Sequence, residues 1–250
     1  MSAKSFGPRP DSPVALVTGA SGGLGQALAI ELDALGCRVA LHCNSSVDAA
    51  EAVQEKLSND SVVVAADIGS WDAVTSLHQT IVDSLGAIDV VVNNAAVRKD
   101  ALMAMQSAED WRRVIDTNLM GTFHTTRVAL PQMLRRRWGR VVNVVSPSGL
   151  IATAGQTAYS ASKAGVIGLT RTLAAECGRR GVTVNALSPG FMETRMTEGV
   201  PQQFRDQMAQ KLPIPRLATT EEVARSISFF LDSDYMTGQV ISIDGGISIT

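Results

Sequence analysis

The sequence predicts one doubly wound α/β domain of Rossmann type, with about seven parallel strands flanked by helices on both faces. Three observations predict it. Short β-branched runs alternate with longer helical stretches along the whole chain. Several of these runs are apolar at nearly every position, as strands are when helices cover both faces of a parallel sheet. The first run leads straight into a glycine-rich turn that opens a helix. No repeat, low-complexity tract or linker divides the 250 residues, a length that one large domain fills.

Each element has its own signal. Residues 1–13, with their prolines and polar side chains, read as a loose leader, and the domain as 14–250. Val14–Val17 is the first strand, and Gly25–Leu35 an amphipathic helix closed by Gly36. Arg38–His42 and Ser61–Ala66 are the second and third strands, separated by a helix over Val47–Leu57. A helix from Trp71 to Leu85 ends against a glycine and precedes the strand Ile88–Val92. A long helix over Ala108–Arg136 follows, with a kink or break expected at Pro131, because proline lacks an N–H and clashes with the preceding turn. Arg140–Val145 and Val182–Leu187 are strands. Thr219-Thr220-Glu221-Glu222 is a capping box opening a helix through Leu231, and Val240–Ile243 is the last strand.

Bulk properties remove several function classes. Hydrophobic residues make up 45% and charged residues 18%, a globular composition. A net charge of -2 lacks the basic excess of a general nucleic-acid binder. Three cysteines without C-x-x-C spacing fit a reducing compartment better than a disulfide framework or structural zinc, so no metal is expected. No apolar run reaches the ~20 residues a bilayer needs, and the N-terminus lacks the apolar core of a secretory signal. A cytoplasmic protein is expected.

The chemistry is carried by Tyr159 and Lys163, four residues apart, with Ser146 upstream. On a helix the two share a face. A tyrosine is a poor acid–base catalyst at neutral pH, its reference pKa being about 10. An ammonium at ~4 Å and an effective dielectric of ~20 favours the phenolate by roughly 4 kcal/mol, which would bring the phenol close to neutrality. A plain surface pair on a helix has the same spacing.

The turn Thr18-Gly19-Ala20-Ser21-Gly22-Gly23-Leu24-Gly25 lies between a strand and a helix. Its glycines let a pyrophosphate approach the helix N-terminus, where free N–H groups and the dipole favour anions. It reads as a phosphate-binding loop, against the alternative of a flexible turn. The second strand ends in His42-Cys43-Asn44-Ser45-Ser46, without the acid that would bind a ribose diol and repel a 2′-phosphate. The gap at Asn44 and Ser45 favours NADP(H) over NAD(H). Asp67 could hold an adenine amine or simply cap a turn, and the same choice is open for Asn94-Ala95-Ala96 after the fourth strand.

In their order, Thr18 to Gly25, Asn93-Asn94-Ala95-Ala96, Asn118, Ser146, the Tyr159/Lys163 pair and Pro189-Gly190 resemble the short-chain dehydrogenases/reductases over essentially the whole chain from Val14. Within that family the stretches Arg98 to Met103, Gly190 to Thr197 and Thr237 to Gly246 are most similar to bacterial 3-oxoacyl-[acyl-carrier-protein] reductases. The resemblance implies a catalytic set of Asn118, Ser146, Tyr159 and Lys163. Tyr159 would protonate the carbonyl oxygen, Ser146 orient it, Lys163 lower the phenol's pKa and hold the nicotinamide ribose, and Asn118 help hold a relay water. It places the cofactor against Gly19, Ser21, Gly22, Gly23, Leu24, Gly25, Asn44, Ser45, Asp67, Ile68, Asn94, Ala95, Ala96, Tyr159, Lys163, Pro189, Gly190, Met192 and Thr194.

Two departures stand out. Ala96 replaces a common glycine and requires a backbone without positive φ. Gly22 stands where NADPH-using relatives often carry a basic residue.

The resemblance further implies an acyl-carrier-protein-bound substrate, with docking at Arg137 and Arg180, and a homotetramer built through the helices bearing Asn118 and Tyr159. The patch Arg135 to Arg140 is equally a solvated helix terminus. Residues 191–212, with Met192, Met196, Val200 and Met208, read either as a lid over an acyl chain or as an amphipathic helix on the core. The expected activity is NADPH-dependent reduction of a 3-oxoacyl thioester in fatty-acid or polyketide-type synthesis. Rivals are another small alcohol or ketone as substrate, a catalytically silent dinucleotide sensor, and a Rossmann-like methyltransferase that would give Tyr159 and Lys163 no use.

Overall fold

The computed structural model describes residues 6–193, 203, 209, 210 and 212–249. Seven strands form one all-parallel sheet: β1 (Val14–Val17), β2 (Arg38–Cys43), β3 (Ser61–Ala65), β4 (Val90–Asn93), β5 (Gly139–Val144), β6 (Val182–Pro189) and β7 (Val240–Ile243). Their spatial order is β3-β2-β1-β4-β5-β6-β7. The chain reverses direction across the sheet between β1 and β4, and ligands of such sheets sit at that crevice, beyond the strands' carboxyl ends.

Both faces of the sheet are covered, which explains the unbroken apolar runs. Within β1, Ala15 and Val17 pack into one core with Leu28 and Leu32 of α1 (Gly23–Ala34). Val14 and Leu16 pack into the other, with Leu77 and Ile81 of α3 (Trp71–Leu85). α2 (Val47–Gln54) adds Val53 to the first core. Ala129 and Met133 of α5 (Gly121–Arg136) and Ala174 and Cys177 of α6 (Thr157–Cys177) belong to the second. At roughly 25 cal/mol per Å² of apolar area removed from water, these two layers are the main driving term for the fold.

The long helix expected over Ala108–Arg136 is interrupted, but not at Pro131. It consists of α4 (Ala108–Ile115), a π-helical turn at Asp116–Met120 and α5, which runs through Pro131 to Arg136. Arg127, whose carbonyl loses its partner four residues ahead of Pro131, is solvent-exposed and can be hydrated. The helix expected from Thr219 to Leu231 has both arms of its capping box. It then divides into α7 (Thr220–Ala224) and α8 (Ile227–Asp232). At the division the Ser226 hydroxyl donates to the Val223 carbonyl at 2.7 Å, competing with the helical ladder.

The later part of the leader is pinned. Gly7 N–H donates to the Arg137 carbonyl at 3.0 Å, and Arg9 pairs with Asp232 at 2.7 Å. No helix among the described residues is long and apolar enough to cross a membrane.

Candidate active site

The glycine turn is built by close backbone approach. A Cβ on Gly25 would stand 2.1 Å from the Gly19 carbonyl oxygen and 2.7 Å from Asn94 Nδ2, so only glycine lets α1 start against the turn. Gly19 itself has φ +66. α1 has no side-chain cap and no acid in its first turn, which leaves its leading N–H groups available to an anion.

The turns after β1 and β4 are stitched together. Thr18 Oγ1 accepts from the N–H groups of Asn94 and Ala95, at 2.9 and 3.0 Å. Asn94 Nδ2 donates back to the carbonyls of Thr18 and Gly19. Arg137 is the sole non-glycine residue with positive φ among the described residues, so Ala96 meets the backbone condition that its methyl group imposes.

His42 was not singled out from the sequence, yet it holds this turn from below. It is buried; its Nδ1 accepts from Gly19 N–H at 3.2 Å and its Nε2 donates to the Ala66 carbonyl at 2.9 Å. These partners require the neutral ring, and burial lowers its pKa.

A cleft of about 1160 Å³ opens along the carboxyl edge of the sheet. It is lined by Gly19, Ser21, Gly22, Gly23, Leu24 and Gly25, by Asn44 and Ser45 after β2, and by Asp67 and Ile68 after β3. Asn94, Ala95, Ala96, Tyr159, Lys163, Pro189 and Met192 complete the expected lining. Ser146, Asn118 and Gly190 are not part of this lining, and Thr194 lies outside the described residues, as does most of 191–212. Arg112, Arg113, Asp116 and Thr117 also line the cleft and were missed, because the polar face of a short helix carries no local mark of what it faces.

At the other end of the cleft, α6 presents Tyr159 and Lys163 one turn apart. Ser146, directly after β5, is hydrogen-bonded to the Tyr159 hydroxyl. Lys163 is 3% exposed, and its Nζ donates to the Val144 carbonyl at 2.8 Å. The Nζ lies 5.6 Å from the centre of the Tyr159 ring.

This corrects the electrostatic expectation drawn from spacing. Burial raises the Tyr159 pKa, the Ser146 hydrogen bond and Arg98 offsetting part of the rise and Asp100 adding to it. Burial alone pushes the Lys163 ammonium down to about 8. Desolvation dominates at both groups, and one N–H of the ammonium is taken by a backbone carbonyl.

Asn118 sits in the π-helical turn and is 1% exposed. Its Nδ2 donates to the Val97 carbonyl and to Ser162 Oγ, each at 3.0 Å, and its Oδ1 accepts from Val97 N–H at 2.8 Å. Ser162 in turn donates to the Tyr159 carbonyl at 2.7 Å. Asn118 thus fixes the start of α6 against the segment after β4. Local widening of a helix into a π-turn is frequent at functional sites.

The whole chain from the first strand onward carries this arrangement, and a short chain dehydrogenase family model matches residues 13–204. The chain is a short-chain dehydrogenase. It is 41% identical over 239 residues to a 3-oxoacyl-[acyl-carrier-protein] reductase FabG of Staphylococcus epidermidis, covering 93% of this chain and 98% of that one. A 3-oxoacyl-[acyl-carrier-protein] reductase of Synechocystis is 42% identical over 240 residues, 94% and 96% of the two chains. The FabG of Thermotoga maritima is 40% identical over 249 residues, 96% and 100%. As a short-chain dehydrogenase the protein is an oxidoreductase that uses a nicotinamide dinucleotide.

Arg137 and Arg180 occupy the opposite end of this short-chain dehydrogenase. Arg137 ends α5 just before β5, and Arg180 just precedes β6, so both lie at the amino edge of the sheet while Tyr159 is at the carboxyl edge. Much of the positive patch is engaged: Arg136 pairs with buried Asp89 at 2.5 Å, and buried Arg140 pairs with Asp234.

Proposed function

We propose that the chain reduces 3-oxoacyl thioesters with NADPH to 3-hydroxyacyl products. The observation that carries this reading is the convergence of the Ser146 and Tyr159 hydroxyls beside Lys163, at one end of a cleft that a dinucleotide fills. The cleft suits that cofactor at each part. The uncapped start of α1 takes the pyrophosphate. Asp67 Oδ1 accepts from Gly69 N–H at 2.9 Å, leaving the second carboxylate oxygen for an adenine amine. The neutral side chains of Asn44 and Ser45 admit a phosphate on the ribose.

When bound, NADPH supplies the hydride that adds to the substrate's carbonyl carbon. Tyr159 donates its hydroxyl proton to the carbonyl oxygen, and Ser146 donates a hydrogen bond to the same oxygen and orients it. A phenol held protonated by burial is a competent acid, and the Lys163 ammonium stabilises the phenolate left behind. With both amide hydrogens of Asn118 committed, a relay water would be met by its oxygen atoms instead.

Exposed Leu102, Met103, Leu150 and Ile151 flank the start of α6 and the segment after Ser146, an apolar margin for an acyl chain. The relatives' names support a carrier-bound substrate. Since Arg137 and Arg180 lie on the far edge from their own Tyr159, a carrier docked there would serve the site of a neighbouring subunit in a homotetramer. The half-open groove between α5 and α6, lined by Phe123, Leu130, Leu169 and Leu173, supports that assembly.

Turnover of acetoacetyl thioesters, compared with a panel of free ketones and polyols, tests the reading. A kcat/KM far higher for the thioesters is expected; equal or higher values for a free ketone would reject it.

A further inference from the structure

The cleft has basic groups at both ends. Lys163 stands at the catalytic end, and Arg112 and Arg113 are the arginines among the described residues that line it. The glycine turn contributes no charge, because Gly22 occupies the place where one could stand.

The placement of the two arginines follows from α4. Asp116, immediately after α4, lies over the turn that follows β3: its carbonyl oxygen is 3.5 Å from the position of a Cβ on Gly69. Arg112 and Arg113 precede Asp116 by one helical turn, about 5 Å along the axis. Helices of this fold run antiparallel to their strands, so that turn lies further out, beyond the carboxyl ends of β2 and β3. The same cleft is lined by Asn44, Ser45 and Ser46 after β2 and by Asp67 and Ser70 after β3.

Both arginines are exposed, and neither forms a salt bridge among the described residues, although Glu109 and Asp116 lie one turn away on the same helix. Two guanidiniums without a salt bridge, in a cleft that also holds the Asn44 amide, the Ser45 and Ser46 hydroxyls and the carboxylates of Asp67, Glu109 and Asp116, offer a receptor for a phosphate monoester, since the planar fork of arginine matches phosphate oxygens in pairs.

We propose that Arg112 and Arg113 hold the 2′-phosphate of NADP(H) from α4, supplying the charge that the glycine turn lacks, and so set the preference for NADPH over NADH. This rests on the reading of the protein as an NADPH-dependent reductase. The hydroxyls of Ser45 and Ser46 complete the anion's hydrogen bonds, while the arginines provide the discrimination.

Fluorescence titration of NADPH and NADH against the wild type, R112Q, R113Q and the double variant tests the proposal. Adenosine 2′,5′-bisphosphate and 5′-AMP serve as competitors that report on the adenosine end alone. The expected result is a loss of about tenfold or more in NADPH and bisphosphate affinity in the double variant, with NADH and AMP affinities unchanged. The salt dependence of NADPH binding should fall with it. Equal losses for both nucleotides, or none for either, would overturn the proposal. A wild type that binds NADH as tightly as NADPH would also overturn it, and would leave the reductase reading to be judged separately by thioester turnover. Exposed positions on a helix surface tolerate glutamine, and an unchanged melting transition would confirm that the variants fold.

Discussion

The Lys163 ammonium is hydrogen-bonded to the Val144 carbonyl at 2.8 Å and stands 5.6 Å from the centre of the Tyr159 ring, so the two side chains share a buried site without touching at their polar ends. Burial drives both towards their neutral forms. In the proposed mechanism, proton transfer from Tyr159 would therefore start from a phenol that burial keeps protonated, and the ammonium would act on the phenolate produced.

Removing the phenolic hydroxyl isolates that step. Tyr159→Phe should lower kcat by about 10²–10⁴-fold, while NADPH affinity stays close to wild type. Single-turnover kinetics with a thioester, paired with a fluorescence titration, separates the two. A variant that kept most of its kcat would remove Tyr159 from the acid role.

Lys163 leaves a signature in stability. Its folded-state pKa of about 8 lies below the ordinary 10.5, so between these values the unfolded chain holds the proton and the folded chain does not. Stability contributed through this group therefore rises with pH across that window, by about 3 kcal/mol in full. Tyr159 acts oppositely above its ordinary value of 10, because its folded-state pKa is raised. Urea denaturation of wild type and Lys163→Met at pH values from 7.5 to 9.5 should show a rise in the wild type that the variant lacks.

The glycine turn distinguishes two superficially similar substitutions. Gly25→Ala forces a methyl group to 2.1 Å from a backbone oxygen and should destabilise the fold by about 2 kcal/mol or more, with loss of dinucleotide binding. Gly22 has φ -101, and the nearest neighbour of an added Cβ would be the Gly19 carbonyl oxygen at 3.6 Å. Gly22→Arg should therefore fold normally and bind NADPH more tightly. Thermal melting and titration distinguish the pair.

His42 couples the turn to pH. A protonated ring would oppose its Nδ1–H to the Gly19 N–H, and burial already lowers the pKa from 6.5. The unfolded chain then takes up the proton first, so stability from this group is lost as pH falls below 6.5. His42→Leu leaves a buried donor and acceptor unpaired and should cost about 2 kcal/mol at neutral pH. Urea titration should also show a weaker acid dependence in that variant.

The central strands were legible because they are buried on both faces, a condition that writes itself into residue type, while the edge strands β3 and β7 are only partly buried. Trp71–Leu85 and Val240–Ile243 match their expected limits; the former is bounded by the Ser70 cap and by Gly86 at φ +92. The π-turn at Asn118 was not legible, since it arises from what the Asn118 side chain reaches in space: Val97 in one segment and Ser162 in another. Pro131 misled because Arg127, whose carbonyl it leaves without a helical partner, is on an exposed turn that solvent can reach. Of the site, the glycine turn and the Ser146, Tyr159 and Lys163 set could be read from order and spacing. His42, Arg112 and Arg113 could not, because their places along the cleft come from strand order and helix placement. The sign of the Tyr159 shift also escaped a distance argument, which contains no term for desolvation.

Thr18 gives the cleft a property that no single wall of it has. One hydroxyl receives the amides of Asn94 and Ala95, and the Asn94 amide returns to the Thr18 and Gly19 carbonyls. The halves of the crevice are thereby sewn across the sheet's switch point into one stiff piece. Evolution can retune either rim of this cradle while the seam keeps the spacing between them, so a new substrate preference can arise without the coenzyme's seat being rebuilt.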